Sequence, residues 1–171
     1  SPTLGGEGQL HYQVEQSARD NAGFFLDETG DDGRPYDVGA AYALVDARVS
    51  ERIAFSGGAR LDTYSTFGSS LNPRAAVIVR PYQRGNTKLM FGKAFRAPSV
   101  YELFYNDGGA TQISSPDLEP ESMYSAELEH SHRFSTTVTA TAALFTTYVS
   151  DFIGTRGAGT ALHPFRYGNS H

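Results

Sequence analysis

Apolar and polar residues alternate one for one along parts of this chain, the mark of a β-strand with two unlike faces. Between Ile53 and Tyr64, one face carries Ile53, Phe55, Gly57, Ala59 and Leu61, and the other carries Ser56, Arg60 and Asp62. Between Tyr124 and His130 the split is Tyr124, Ala126 and Leu128 against Ser125, Glu127 and Glu129. β-Branched and aromatic runs bounded by Gly, Asn, Asp, Ser and Pro extend the reading. They predict eight strands, at 9–17, 38–49, 53–64, 73–81, 87–96, 123–131 and 136–149, with the last starting at Phe165. The stretch 136–149 is the least regular, because Val138, Ala140, Ala142, Leu144 and Phe145 do not keep to one face. Helical periodicity is confined to one short turn from Ser99 to Phe104, which Pro98 and Ser99 are suited to start. The expected class is all-β.

Strand length and spacing sharpen the picture. Several strands exceed the ~5–6 residues usual in soluble sheets and match the ~9–11 of a tilted strand that crosses a bilayer. Tight connections at 50–52, 82–86 and 132–135 alternate with longer ones at 18–37, 65–72, 97–122 and 150–164. Transmembrane barrels alternate in this way, with short periplasmic turns and long extracellular loops. Tyr82 and Phe134 lie at short turns, and Tyr64, Phe67, Tyr148 and Phe152 lie where strands meet long loops. Such rings form girdles at membrane interfaces or pack at sheet ends. The best apolar run, Ala75 to Val79, is far below the ~18 residues of a membrane-spanning helix. A soluble sandwich shows the same alternation with its apolar face turned inward. The alternative is therefore a soluble all-β binding module, sandwich or lectin-like, with Ile53, Phe55, Leu61, Ala126 and Leu128 in a shared core.

Charge and composition remove other classes. The chain has 14 Lys+Arg against 19 Asp+Glu, a net charge of −5, and its basic residues are scattered, so nucleic acid is not an expected partner. It has no cysteine, which excludes disulfides, Cys-based zinc sites and thiol nucleophiles. GxSxG, HExxH and P-loop patterns are missing, and Gly157-Ala-Gly159 lacks the setting of a dinucleotide site. Asp27, Glu28, Asp31 and Asp32 miss the EF-hand spacing and read as a solvated acidic loop. Glu119 and Glu121 stand two apart, as a glycosidase pair could, but Pro120 between them marks the approach to a strand. Neither an enzyme nor a resident cofactor or metal is expected.

The specific signals lie between Gly57 and Glu121. They are Gly58-Ala-Arg-Leu-Asp62, Asn72-Pro-Arg74, the run from Gly92 through Phe95-Arg96-Ala97-Pro98 to Phe104, and Ser115-Pro116-Asp117-Leu118-Glu119-Pro120-Glu121. Pro98 has no N–H, so a strand must leave its sheet just after Arg96, and Pro116 and Pro120 stiffen the approach to the next strand. Arg96 can then offer its donors to Glu102, Asp117 or Glu121 and fix the intervening loop.

These ordered motifs resemble the barrel of TonB-dependent outer-membrane receptors. The resemblance implies an antiparallel up-and-down transmembrane β-barrel in the bacterial cell outer membrane. Residues 1–171 would be part of it, about eight of ~22 strands, with the plug domain absent. It also implies uptake of a scarce small extracellular ligand, most commonly a ferric siderophore. Contact with the TonB complex would run through the plug, and outer-membrane lipid would cover the barrel. The haem branch of the family places a histidine between the two boxes; here 99–114 has none, and Ser115 replaces the Asn that opens the second box. Ligand contacts are expected at aromatic or charged loop positions: Phe24, Phe25, Tyr101, Phe104, Tyr105, His163, Phe165 and Arg166.

Overall fold

A computed structural model describes residues 1–11 and 36–170. Seven long strands lie side by side in chain order: β1 (Pro2–His11), β2 (Tyr36–Arg48), β3 (Ile53–Tyr64), β4 (Gly68–Val79), β5 (Gly85–Arg96), β6 (Glu121–Arg133) and β7 (Thr139–Ser150). Every neighbouring pair is antiparallel, so the sheet is an up-and-down meander. Between β5 and β6 comes a one-turn helix, α1 (Val100–Phe104), and after β7 a small separate hairpin, β8 (Phe152–Arg156) with β9 (Arg166–Ser170). No helix among the described residues is long and apolar enough to cross a membrane.

The register carries the two faces read in β3 across the whole sheet. Phe55 stands opposite Ala47 and Val77, Leu89 opposite Val77 and Leu128, and Leu128 opposite Leu144, giving one apolar face. Arg60, Asp62, Asn72, Lys88 and Glu129 share the other face. The irregular stretch in β7 resolves in the same terms: Leu144 and Tyr148 join the apolar face beside Leu128 and Tyr124, while Phe145 joins the polar face opposite Glu127.

Nothing among the described residues covers the apolar face. Leu4 is 78% exposed, Leu144 75% and Leu89 56%, and among the described residues the buried hydrophobic ones are Leu103, Leu118 and Ile153, outside the seven strands. The expected sandwich core does not form among the described residues: Ile53, Phe55, Leu61 and Leu128 are exposed and Ala126 is half-buried. An apolar sheet face of this extent needs a nonaqueous neighbour.

Three elements differ from the sequence reading. The first strand starts at Pro2 instead of 9, and the rest of the expected 9–17 segment lies outside the described residues. β4 starts at Gly68 instead of 73, which reduces the expected loop 65–72 to a tight turn. Gly68, at φ +100°, closes that turn in a conformation that favours glycine. Apart from Gly68 and Leu71, which stands opposite Leu61, the added residues are polar and face polar partners: the Ser69 hydroxyl lies 3.1 Å from that of Thr63, and the Asn72 amide donates to Asp62 (3.1 Å). A polar strand end has no hydrophobic signature. β8, within the expected loop 150–164, was not anticipated as a strand, and the eight expected strands become seven in one sheet plus a hairpin.

Candidate functional site

At the long-loop end of the sheet, α1, the segment to β6 and the β8–β9 hairpin form a cap. Its centre is Arg96, the last residue of β5, directly opposite Glu121, the first of β6. The guanidinium donates through Nε and Nη2 to the two Glu121 oxygens (2.8 and 2.9 Å) and through Nη1 to both Glu102 oxygens (3.1 and 3.0 Å). Glu121 also accepts from the Ile153 N–H (2.7 Å), so one arginine ties together β5, β6, α1 and β8. The planar fork of arginine meets Glu121 with two nitrogens, and the remaining nitrogen spans the two oxygens of Glu102.

The local sequence explains the geometry. After Pro98 stops the strand, the Ser99 hydroxyl accepts from the Glu102 N–H, and the Glu102 carboxylate accepts from the Ser99 N–H in return. Partial burial opposes the charge of Glu102, but the bonds from Ser99 and Arg96 hold its carboxyl below the usual range. Leu103 then points into the small core with Leu118 and Ile153, against which Phe104 and Tyr167 pack. Asp107 organises the following loop by accepting from the Thr111 N–H and hydroxyl and from the Gln112 N–H. Burial again opposes its charge, and those bonds again hold its carboxyl low.

Of the expected ligand residues, Phe24 and Phe25 lie outside the described residues, as do Asp27, Glu28, Asp31 and Asp32. Phe104 packs on the cap core, and Phe165 is half-buried, its N–H bonded to the Thr111 carbonyl (2.8 Å). Tyr101 is 43% exposed, stacks on Tyr105 with ring centroids 4.5 Å apart, and donates its hydroxyl to Gln112 Oε1 (3.1 Å). Burial pushes the Tyr101 phenol up. His163 is exposed in a tight turn with Thr160, and no group of three potential metal ligands occurs among the described residues. Arg166 stands directly opposite Arg156 and lines a cavity of about 220 Å³ with Ser115, Pro116 and Asp117.

Among the motif residues, Phe95 meets Tyr64 edge-on at 5.9 Å, and Leu118 is buried. Asp117, one of three candidate partners for Arg96, is exposed, and Glu102 and Glu121 hold that arginine instead. Residues not singled out from sequence prove structural here. Gln112 is fully buried, and the Asn169 amide spans Glu119 and the Asp151 carbonyl. Neither falls in a motif; Gln112 is held by Tyr101 and Asp107 of its own loop, and Asn169 by a contact across 50 residues.

On the polar face below the cap, Arg60 sits between Asp62 (2.7 Å) and Glu7 (3.2 Å). A cavity of about 360 Å³ opens beside it, lined by Tyr42, Asn72, Arg74 and Lys93. There the ladder between β4 and β5 stops, at Arg74 opposite Gly92.

A one-layer meander with an apolar face, a charged face and a cap at its long-loop end defines the wall of a transmembrane-type β-barrel. The family model for the TonB dependent receptor-like β-barrel matches residues 3–170, and the chain belongs to that family, whose members are transport receptors, not enzymes. It is similar to the siderophore receptor PirA from Pseudomonas aeruginosa, with TM-score 0.75 and 17% identity, over 99% of this chain and 33% of that one. PirA from Acinetobacter baumannii gives 0.75 and 19%, over 99% and 29%. A mutant ferric enterobactin receptor from Pseudomonas aeruginosa in complex with enterobactin gives 0.77 and 15%, over 98% and 28%. The chain thus spans a third or less of these structures, and likeness at such identity speaks for the fold. No curated protein sequence matches.

Proposed function

We propose that residues 1–171 are part of the barrel of a TonB-dependent receptor in a bacterial outer membrane, and that the whole receptor takes up a ferric siderophore. The observation that carries this reading is the uncovered apolar face opposite a charged one, beneath a cap locked by Arg96. Lipid covers the apolar face, the charged face lines the lumen, and the cap stands outside the cell. A separate plug domain, outside these residues, contacts the TonB complex. Tyr101, His163 and Arg166 are the described loop candidates still open to solvent, and they are the residues assigned to first contact with the ligand. The ferric chelate is supported by what the similar receptors bind.

The test is made on the full-length protein. It should fractionate with detergent-extracted outer membranes and migrate faster on gels when unheated, and its deletion should slow growth on a ferric siderophore as sole iron source. Solubility without detergent would overturn the barrel; unchanged growth and unchanged uptake of radioactive iron from a siderophore panel would overturn the ligand class.

A further inference from the structure

The sheet treats its arginines in two ways. Toward the long-loop end, Arg60 and Arg96 each lie between two carboxylates, and Arg74 alone there has no ion pair among the sheet's described arginines. At the short-turn end, Arg48, Arg52, Arg80, Arg84 and Arg133 form no ion pair with any carboxylate among the described residues. Glu51 lies among them without pairing, and Lys88 alone is matched, to Glu129 at 2.8 Å.

Their placement is more unusual than their number. The Arg80 N–H donates to the Arg52 carbonyl (2.8 Å), continuing the β3–β4 register past Ile53 opposite Val79. The Arg133 N–H donates to the Arg84 carbonyl (2.8 Å), continuing the β5–β6 register past Gly85 opposite His132. Two hairpins therefore each set one arginine against another. Like charges directly opposite on one face repel and destabilise a strand pair, and here the arrangement occurs twice, side by side. The register puts Arg48 and Arg133 on the polar face, and the three turn arginines gather beside them there: Arg52 and Arg80 line a cavity with Arg48, Ala54 and Ile78, and Arg80 and Arg84 line one of about 550 Å³ with Lys88 and Arg133. The apolar face at the same level carries Tyr82, His130 and His132 instead, with the Tyr82 hydroxyl 3.0 and 3.1 Å from the two imidazoles.

We propose that this arginine crown docks an acidic segment of the same receptor polypeptide, outside residues 1–171, lying extended across the short-turn mouth of the lumen. The inference rests on the receptor reading above. Its position on the polar face turns the crown away from lipid headgroups. Its span decides between a small anion and a chain: β2 to β6 at ~4.8 Å per strand is about 19 Å, the length of roughly six extended residues. A single phosphate would touch one arginine pair and leave the rest unmatched, whereas alternate Asp or Glu side chains can meet several guanidinium forks in turn. A tethered segment also has the advantage of effective concentration, and the similar receptors extend well beyond the matched stretch, which covers 33% or less of their chains.

The experiment places a photo-crosslinking benzoylphenylalanine at Gln83, between Arg80 and Arg84, in the full-length receptor in outer membranes. Irradiation should give an intramolecular adduct on a peptide rich in Asp or Glu outside residues 1–171. R80Q/R133Q should cut its yield at least tenfold, and R80K/R133K should retain most of it, with heat-modifiable migration certifying the fold of each variant. If R80Q/R133Q does not fold, Arg84→Gln in the exposed turn should lower the yield at least threefold. Adducts confined to phospholipid or to another protein, no adduct, or an unchanged yield in a folded Gln variant would overturn the proposal. Siderophore uptake measured in the same cells reports on the receptor reading separately: loss of the adduct with uptake intact sinks only the crown, and an intact adduct without uptake sinks only the transport assignment.

Discussion

Arg96 shows how much of the cap hangs on one side chain. Its charge-assisted bonds to Glu102 and Glu121 should each be worth roughly 1.5–3 kcal/mol. Arg96→Ala should loosen the cap, raising the rate of proteolytic cleavage within 97–120 several-fold, while Arg96→Lys, which cannot fork to two carboxylates, should fall between. A second prediction concerns acid. Glu102 and Asp107 have carboxyls held below their ordinary values of about 4, so their stabilisation is complete above that pH and fades as pH falls through the lowered values. Amide exchange at 105–115, corrected for its intrinsic pH dependence, should show constant protection from pH 7 to about 5 and a loss beginning below about 4. Arg96 was legible from sequence because Pro98 had to end its strand and the candidate carboxylates lay near. Asp107 was not, because its partners Thr111 and Gln112 lie in a loop with no motif of its own, and Asn169 was not, because its partners are backbone groups of Glu119 and Asp151 brought near only by the finished fold.

Single strands tell the same story with the period of two. β3 and β6 were readable because each keeps apolar and polar residues on separate faces, and the register then assigns every neighbour. The start of β4 was hidden by Ser69, Ser70 and Asn72, polar residues on a strand end, and β8 by its short length and its lack of a clean alternation. The faces make a direct prediction. Leu128→Arg, on the apolar face, should destabilise the refolded full-length barrel in lipid by ~2–4 kcal/mol, whereas Glu127→Gln, one residue earlier and on the polar face, should change it by less than about 1. Urea titration in vesicles reads both, and equal effects would mean that the faces are wrongly assigned. Gly58 offers a further check: a Cβ there would come within 2.3 Å of the Ala43 carbonyl, so Gly58→Ala should strain the β2–β3 pair and lower stability in the same assay.

At the scale of the molecule, the described wall has two long outer strands, β1 and β7, each paired on one side only within these residues. Expressed as residues 1–171 alone, the polypeptide should aggregate through those edges, and detergent should disperse it without giving the compact, heat-modifiable form expected of the full-length receptor. The wall is also unequal along its width. The β4–β5 ladder runs only from Val79 opposite Thr87 to Arg74 opposite Gly92, about half the length of the seams on either side. It stops where Pro73, with no N–H, enters β4, and the Arg60–Arg74–Lys93 cavity opens at that level. If the wall yields anywhere under load, it will part along the line already half unfastened, beside Arg74, which forms no ion pair among the described residues while its neighbour Arg60 is held by two carboxylates.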